Sequence, residues 1–175
     1  MSKKKLSSLL GAIVILILIS IFGDPRDFLP TESTVVTSTS TYKVLKVVDG
    51  DTITIDKNGE RVSVRLIGVD TPETVDPRRP VECFGQAATD EMLKLVGDKS
   101  VRIEIDSSQG ERDTYGRLLA YVYVGEKFIN QHLIAEGFGH EYTYIRPYAY
   151  QKEFRAAERA AEEQHKGLWA PGACE

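Results

Sequence analysis

The segment Val47–Glu73, which reads VVDGDTITIDKNGERVSVRLIGVDTPE, decides the fold of this 175-residue chain. It holds two runs rich in β-branched residues, Thr52–Asp56 and Arg61–Val69. Between them stands DKNGE with Asn58-Gly59 at its centre, a sequence typical of a tight hairpin turn. The pattern predicts two antiparallel strands whose tips carry more charge than folding requires.

Three carboxylates gather at one end of this hairpin. Asp51 opens the first of the two strands, and Asp70 closes the second. In a hairpin the start of one strand lies beside the end of the other, so we expect both carboxylates at the same rim of the sheet. The Thr71-Pro72 step favours an extended or turning backbone, which sets Glu73 off the strand and into the cleft. Hard oxygen ligands of this kind suit Ca²⁺ or Mg²⁺ rather than a soft metal.

The nearby acid Asp49 is better explained as a turn or bulge residue, because a glycine follows it. Turn capping is also the alternative for Asp51 and Asp70. Their coincidence with Glu73 and Arg65 favours a functional site instead.

Two arginines accompany the carboxylates. Arg65 lies within the second strand, and Arg117 begins the run RLLAYVYV after the turn ERDTYG. A planar guanidinium can bind phosphate oxygens through two hydrogen bonds, and Tyr115 could donate another. A lone arginine in a strand is ordinarily a solvated or salt-bridged surface residue, which is our interpretation of Arg102.

Four tyrosines are concentrated in EYTYIRPYAY, just before and within the last predicted helix. Aromatic side chains in such a cluster can stack on nucleobases. We assign the binding role to Tyr142 or Tyr144 without choosing between them. Tyr150 falls on the apolar stripe of the helix and is interpreted as a core residue.

Together these groups describe a site for phosphodiester hydrolysis. A hard divalent cation and two guanidinium groups would bind the phosphate and stabilise charge in the transition state. Glu73 would orient or deprotonate the attacking water. The formal net charge of −4 argues against a general polyanion binder, so nucleic acid must be bound through local cations or a metal.

The rest of the chain predicts a small closed barrel covered by helices. Further strands are expected at 42–48, 100–106 and 117–124. Apolar stripes predict helices over 82–96, 128–136 and 148–166, the last two stopped by Gly137 and Gly167. Short strands interleaved with three helices favour this architecture.

The N-terminus is typical of an export signal. Residues 1–23 hold three consecutive lysines and then an apolar run that suits a signal peptide and is short for a membrane span. The sequence after it is a poor cleavage site, so a cleaved signal peptide and an uncleaved anchor both stay open. Residues 24–41 are rich in Ser and Thr and predict a linker, with the domain over 42–175. We expect the domain to be secreted or anchored to the outer face of the cytoplasmic membrane.

The chain has two cysteines, Cys83 and Cys174. In an oxidising compartment an even number favours a disulfide, here between the C-terminal tail and the start of a predicted helix. Two unpaired cysteines are the alternative. A metal role is disfavoured because no further Cys or His stands at ligand spacing.

The motifs VVDGDTITI, VRLIGVDTPE and DTYGRLLAYVYV, followed by the distal tyrosines, resemble the staphylococcal nuclease family in order and spacing over residues 42–169. The resemblance implies an α+β fold with a five-stranded OB-fold β-barrel and three α-helices. It also implies a Ca²⁺-dependent endonuclease that cleaves DNA and RNA at the 5′-oxygen and leaves 3′-phosphate ends. On matching positions, Asp51 and Asp70 look like the calcium ligands, together with the Thr71 carbonyl.

The same resemblance makes Glu73 the general base, Arg65 and Arg117 the phosphate-contacting arginines, and Tyr115 a neighbour of the terminal phosphate. Two departures stand out: Thr114 replaces a lysine of the family, which puts one phosphate contact in doubt, and YTYIRP carries one extra residue. We expect a monomer that acts on single-stranded or denatured DNA and RNA.

A non-catalytic OB-fold module that binds nucleic acid or protein is the alternative, since this barrel also occurs in domains that only bind. Such a module could lose Glu73 or either arginine, yet all three are present. A membrane-tethered calcium-binding protein would leave Arg65 and Arg117 unexplained.

Overall fold

The computed structural model describes residues 35–78 and 80–174. The export signal predicted for residues 1–23 lies outside this part of the chain, as does most of the predicted linker. Strand β1 (Val35–Val47) begins before the expected domain boundary at Tyr42, because its first residues pair with 104–106. Within the described residues, no helix combines the length and the apolar character that crossing a membrane requires.

Five strands close into a barrel. After β1 the strands are β2 (Thr52–Lys57), β3 (Glu60–Leu66), the two-residue β4 (Val69–Asp70), β5 (Ser100–Asp106) and β6 (Leu118–Val124). The five barrel strands follow the order β3-β2-β1-β5-β6, β4 belongs to a separate two-stranded sheet, and a parallel pairing of β3 with β6 closes the barrel. The predicted five-stranded OB-fold barrel is confirmed.

The hairpin turn between β2 and β3 has the predicted chemistry. Asn58 and Gly59 have φ values of 59° and 89°, the left-handed conformation that Asn and Gly tolerate in tight hairpins. The Asp56 carboxylate accepts a hydrogen bond from the Gly59 N–H at 2.7 Å. The turn fixes a register in which Thr52 lies opposite Arg65.

The core fills the barrel with the inward-facing side chains of its strands, including Ile53, Ile55, Val64, Leu66, Val101 and Ala120. Their alternation with more exposed positions is the period-two pattern that a half-buried strand needs. Burying this apolar surface is the main contribution that stabilises the fold.

The strand predicted over 61–69 is broken, which corrects the sequence interpretation. β3 ends at Leu66, the chain turns at Gly68 with φ of 77°, and β4 pairs with β8 (His140–Glu141). A Cβ atom on Gly68 would lie 2.6 Å from the ring of Tyr148, so a larger residue cannot fit here. The break turns Asp70 away from the barrel wall.

The described residues contain three α-helices, α1 (Gly85–Val96), α2 (Ile129–Ala135) and α3 (Gln151–Glu163), and α2 follows the short strand β7 (Lys127–Phe128). α1 begins later than predicted because Phe84 has φ of 68°. α3 also begins after Tyr148 and Tyr150. It ends before Gly167, which opens a 3₁₀ turn instead of capping the helix.

Covalent and polar links tie these elements to the barrel. The predicted disulfide between Cys83 and Cys174 is present and joins the segment before α1 to the C-terminal tail. Asn130 of α2 is fully buried; its amide donates to the Ile67 carbonyl at 2.8 Å and accepts from the Val122 N–H at 2.9 Å. α2 is therefore held against both β6 and the break after β3.

Candidate active site

The hairpin register brings Asp51 to the rim where β3 ends. Asp51 immediately precedes β2, and its carbonyl accepts a hydrogen bond from the Leu66 N–H at 2.9 Å. The chain then passes Gly68 and reaches Asp70 on the same side. The two carboxylates, far apart in sequence, thus lie at one edge of the barrel.

Arg65 links the two carboxylates directly. Its Nη2 atom lies 3.0 Å from Asp51 Oδ2 and 2.9 Å from Asp70 Oδ1. Its Nη1 atom donates to the carbonyls of Leu66 at 2.9 Å and Val69 at 2.5 Å. A single guanidinium therefore contacts four oxygen acceptors, and its position is fixed from both sides.

Asp51 is held by a second set of contacts. Its Oδ2 atom accepts hydrogen bonds from the N–H of Thr71 at 3.0 Å and from its hydroxyl at 3.2 Å, and Oδ1 accepts from the Thr52 hydroxyl at 3.0 Å. Gly50 permits this close approach, because a Cβ atom there would lie 2.7 Å from Thr71 Oγ1. The Asp51 carboxylate is therefore buried and oriented before any ligand binds.

Asp49 belongs to the same rim, although the sequence assigned it only to a turn. Its Oδ1 atom accepts a hydrogen bond from the Asp51 N–H at 3.2 Å, which is the expected turn contact. Burial and the charge of Asp51 raise the pKa of Asp49 to about 7. Burial also raises the pKa of Asp70, although Arg65 opposes the shift. One guanidinium thus faces three carboxylates, and the rim has an excess of negative charge.

Glu73 lines the cavity near this rim, and one of its carboxylate oxygens is also bound by the loop that carries it. Its Oε1 atom accepts hydrogen bonds from the N–H groups of Val75 at 2.7 Å and Asp76 at 3.2 Å. Its main chain exchanges two hydrogen bonds with Glu82, at 3.0 and 2.9 Å. One carboxylate oxygen thus caps the loop that carries it.

Arg117 is positioned by Asp113, a residue that sequence reasoning missed. The Asp113 carboxylate accepts hydrogen bonds from Arg117 Nε at 2.7 Å and from the N–H groups of Arg117 and Tyr115 at 2.9 Å each. Burial opposes ionisation of Asp113, but these bonds prevail and lower its pKa. The signal was available, since Asp at the first position of a DTYG turn favours such hydrogen bonds.

The tyrosines fall into an exposed group and a packed group. Tyr142 and Tyr144 are exposed, with ring centroids 6.2 Å apart. Tyr148 is buried, and its hydroxyl donates to Glu141 at 3.0 Å. The Tyr150 ring packs edge-on against a core tyrosine, at a centroid distance of 4.7 Å. Of these four, Tyr142 and Tyr144 have rings that are available to a ligand, as does the more exposed Tyr115.

All the predicted catalytic, metal and substrate residues line one cavity of about 620 Å³. They are Asp51, Arg65, Asp70, Thr71, Glu73, Tyr115, Arg117, Tyr142 and Tyr144. The cavity is also lined by residues to which the sequence analysis gave no role, among them Asp49, Asp113, Gln109, Arg112 and Arg146. Residues drawn from six separate segments of the chain therefore face a common space.

The donor chemistry of the rim fits a hard cation. Among residues 35–78 and 80–174, no group of three or more His, Cys, Asp or Glu side chains is arranged as a metal site. However, Asp51 and Asp70 each place an oxygen within 3.0 Å of the same Arg65 nitrogen. With Asp49 beside them, the rim holds more carboxylates than one guanidinium can neutralise, and clustered carboxylate oxygens are the type of donor that Ca²⁺ prefers.

Comparison with known proteins agrees with this geometry. Residues 63–171 match the family model described as staphylococcal nuclease homologue. A thermonuclease of Staphylococcus hyicus is 42% identical over 130 residues, 74% of this chain and 76% of the relative. A thermonuclease of Staphylococcus intermedius is 41% identical over 158 residues, 90% of this chain and 91% of the relative. Endonuclease YncB of Bacillus subtilis is 37% identical over 126 residues, 71% of this chain and 59% of the relative.

Proposed function

The chain belongs to the staphylococcal nuclease family and is a nuclease, and on this premise we propose that it is an exported, calcium-dependent endonuclease. Its substrates are single-stranded or denatured DNA and RNA, cleaved at the 5′-oxygen to leave 3′-phosphate ends. The observation that carries the proposal is the Arg65 guanidinium, which bridges Asp51 and Asp70 in a cavity shared with Glu73 and Arg117.

The two arginines bind the scissile phosphate. Both arginines line the cavity, Arg117 held at Nε by Asp113 and Arg65 held at its two Nη atoms, so both are oriented before substrate arrives. Both stabilise the negative charge that grows on the phosphate oxygens as water attacks phosphorus. The bond from phosphorus to the 5′-oxygen breaks, and the released 5′-oxygen takes a proton from solvent.

Glu73 accepts the proton of the attacking water. Its Oε1 atom is held by two main-chain N–H groups, and among the described residues Oε2 has no hydrogen-bond partner. This arrangement orients the carboxylate and keeps one oxygen available as a general base.

Asp51, Asp70 and the Thr71 carbonyl would hold the calcium ion. When bound, it supplies Lewis-acid stabilisation of the phosphate oxygens. The excess of carboxylates at the rim supports this assignment, because a cation relieves their mutual repulsion. A bound calcium ion would also explain how a chain with net charge −4 can bind a polyanion.

Export is supported by the N-terminal sequence and by the disulfide. Residues 1–23 carry the basic and apolar pattern of a signal peptide or anchor. The bond between Cys83 and Cys174 suits an oxidising compartment. The protein would act as a monomer, either secreted or attached to the outer face of the cytoplasmic membrane.

Digestion of denatured DNA by the full chain tests the proposal. With Ca²⁺ we expect internal cleavage and fragments that become substrates for a 5′-kinase, because their 5′ ends are free hydroxyls. Chelation of Ca²⁺ with EGTA should stop the reaction. Equal rates with and without EGTA would refute calcium dependence, and 5′-phosphate ends would refute the assigned position of cleavage.

A further inference from the structure

Two arginines of the active-site cavity stand outside its network of ion pairs. Arg112 and Arg146 both line the cavity, and both are exposed. Arg65 is paired with Asp51 and Asp70, and Arg117 is paired with Asp113. Neither Arg112 nor Arg146 forms an ion pair with any carboxylate of the described part of the chain.

The surroundings of these two arginines keep their charge uncompensated. The Nη1 atom of Arg112 donates to the Gly116 carbonyl at 2.7 Å, which orients the guanidinium beside the DTYG turn without neutralising it. The adjacent cavity carboxylate, Asp113, is already paired with Arg117, and the other neighbours, Thr114 and Tyr115, carry no charge. This part of the cavity is therefore cationic, in contrast to the carboxylate rim.

The two loops that carry these arginines are joined. The Gln109 side-chain amide donates to the carbonyls of Pro147 at 3.0 Å and Arg146 at 3.3 Å. Asp106, at the end of β5, accepts a hydrogen bond from the Ala149 N–H at 2.8 Å. The segment after β5 and the tyrosine segment thus form one framework, on which both cations are held at the cavity wall.

We propose that Arg112 and Arg146 form a second phosphate-binding subsite, which binds a flanking phosphate of the polynucleotide strand. This inference rests on the proposed function, in which Arg65 and Arg117 bind the scissile phosphate. A single strand that enters the cavity presents further phosphates on either side of the one cleaved. An arginine without a carboxylate partner binds a phosphate at the lowest cost in free energy, because no existing ion pair has to be broken.

The exposed rings of Tyr142 and Tyr144 line the same cavity. They offer stacking surfaces for the bases that lie between the two bound phosphates.

Steady-state cleavage of two substrates tests the subsite. One is a single-stranded oligonucleotide, and the other is a dinucleoside monophosphate, which has one phosphodiester and no flanking phosphate. For Arg112→Ala and Arg146→Ala, we expect KM for the oligonucleotide to rise roughly tenfold with little change in kcat. For the dinucleoside monophosphate, each variant should lose far less kcat/KM than it loses for the oligonucleotide. The slope of log(kcat/KM) against log salt for the oligonucleotide should fall by about 0.7 for each arginine removed.

Arg159→Ala is the matched control, since Arg159 is an exposed arginine of α3 that does not line the cavity. If wild type cleaves the oligonucleotide but both variants keep its KM and salt slope, the subsite is refuted while the proposed function stands. Equal losses on both substrates, or the same loss in Arg159→Ala, would also refute it. If wild type cleaves neither substrate with Ca²⁺, the proposed function itself fails.

Discussion

At the scale of single residues, the Arg65 guanidinium organises the candidate site. It contacts two carboxylates and two main-chain carbonyls, a set of acceptors that a planar fork of donors can satisfy together. A lysine ammonium is a single point of charge and cannot donate to all four of these oxygen acceptors. In the proposed mechanism the same guanidinium both holds the rim together and faces the phosphate.

Arg65→Ala should lower kcat/KM for denatured DNA by roughly 100-fold or more, by analogy with the loss of one preorganised donor to a transition-state oxyanion. Arg65→Lys should restore only a small part of that loss. Arg61→Ala removes an exposed arginine from the same strand and serves as the control. Full activity in Arg65→Lys would show that charge alone, rather than the bridging geometry, is what the site requires.

The sequence predicted much of the site at this scale. The meeting of Asp51 and Asp70 followed from the hairpin, because its register is set locally by Asn58-Gly59. The contact from Asp113 to Arg117 and the cap on Glu73 were missed. The Asp113 contact could have been predicted from the DTYG turn, whereas the cap on Glu73 depends on the path of a loop, which local propensity does not determine.

At the scale of elements, Asp106 joins the end of β5 to the segment before α3. It is fully buried, and it accepts hydrogen bonds from the Tyr121 hydroxyl at 2.8 Å, the Ala149 N–H at 2.8 Å and the Ser108 hydroxyl at 2.7 Å. Burial by itself would raise the pKa of Asp106, but these bonds prevail and lower it. The ionised carboxylate therefore stabilises the packing of these elements.

Asp106→Asn should lower the free energy of unfolding by about 1–3 kcal/mol near neutral pH, since it weakens charge-assisted hydrogen bonds in a buried position. Because the folded pKa lies below the unfolded one, the stabilisation is present above about pH 4 and is lost as pH falls through the folded pKa. The difference in the free energy of unfolding between wild type and Asp106→Asn should thus be smaller in acid. Urea denaturation at about pH 7 and about pH 3.5 measures this difference.

Asp90→Asn is the control for this comparison, because Asp90 is an exposed acid of α1. It should change the free energy of unfolding little at either pH. A difference between wild type and Asp106→Asn that stays constant with pH would contradict the assignment of an ionised, hydrogen-bonded Asp106.

Element types were predictable from periodicity, but several boundaries were not. The run 61–69 is continuous in β-propensity, yet the chain breaks at Gly68 because Tyr148 packs against it from a distant segment. α1 begins late because Phe84 adopts a left-handed conformation. β1 begins early because its Thr-rich start finds a partner in β5. At Gly68 and at the start of β1, a tertiary contact overrides the local pattern.

At the scale of the whole molecule, two long-range connections complete the fold. The parallel pairing of β3 with β6 closes the barrel, and it brings the strand of Arg65 beside the one that follows Arg117. The bond between Cys83 and Cys174 ties the C-terminal tail to the segment between Glu73 and α1. The site is thus assembled by closure of the barrel.

Removing the disulfide should destabilise the whole domain. The bonded cysteines are 91 residues apart, and in the chain-entropy model a loop of this length contributes up to about 4–5 kcal/mol. We expect the double variant Cys83→Ser/Cys174→Ser to unfold at a lower urea concentration than oxidised wild type. Reduced wild type should match the variant. An unchanged unfolding midpoint in the double variant would contradict a stabilising bond, and peptide mapping without reductant checks the pairing.

The dependence of the hydrolysis rate on Ca²⁺ concentration, compared between wild type and Asp70→Asn, tests whether Asp70 holds a catalytic calcium ion. The Asp70 side chain is about half exposed (53%), so the substitution should leave the fold intact. We expect the half-saturating Ca²⁺ concentration to rise at least about tenfold in Asp70→Asn, as it does when metal-site interactions are lost, while Asp90→Asn behaves as wild type. Identical Ca²⁺ curves for wild type and Asp70→Asn, or hydrolysis that needs no Ca²⁺ in either, would contradict a calcium site at Asp70.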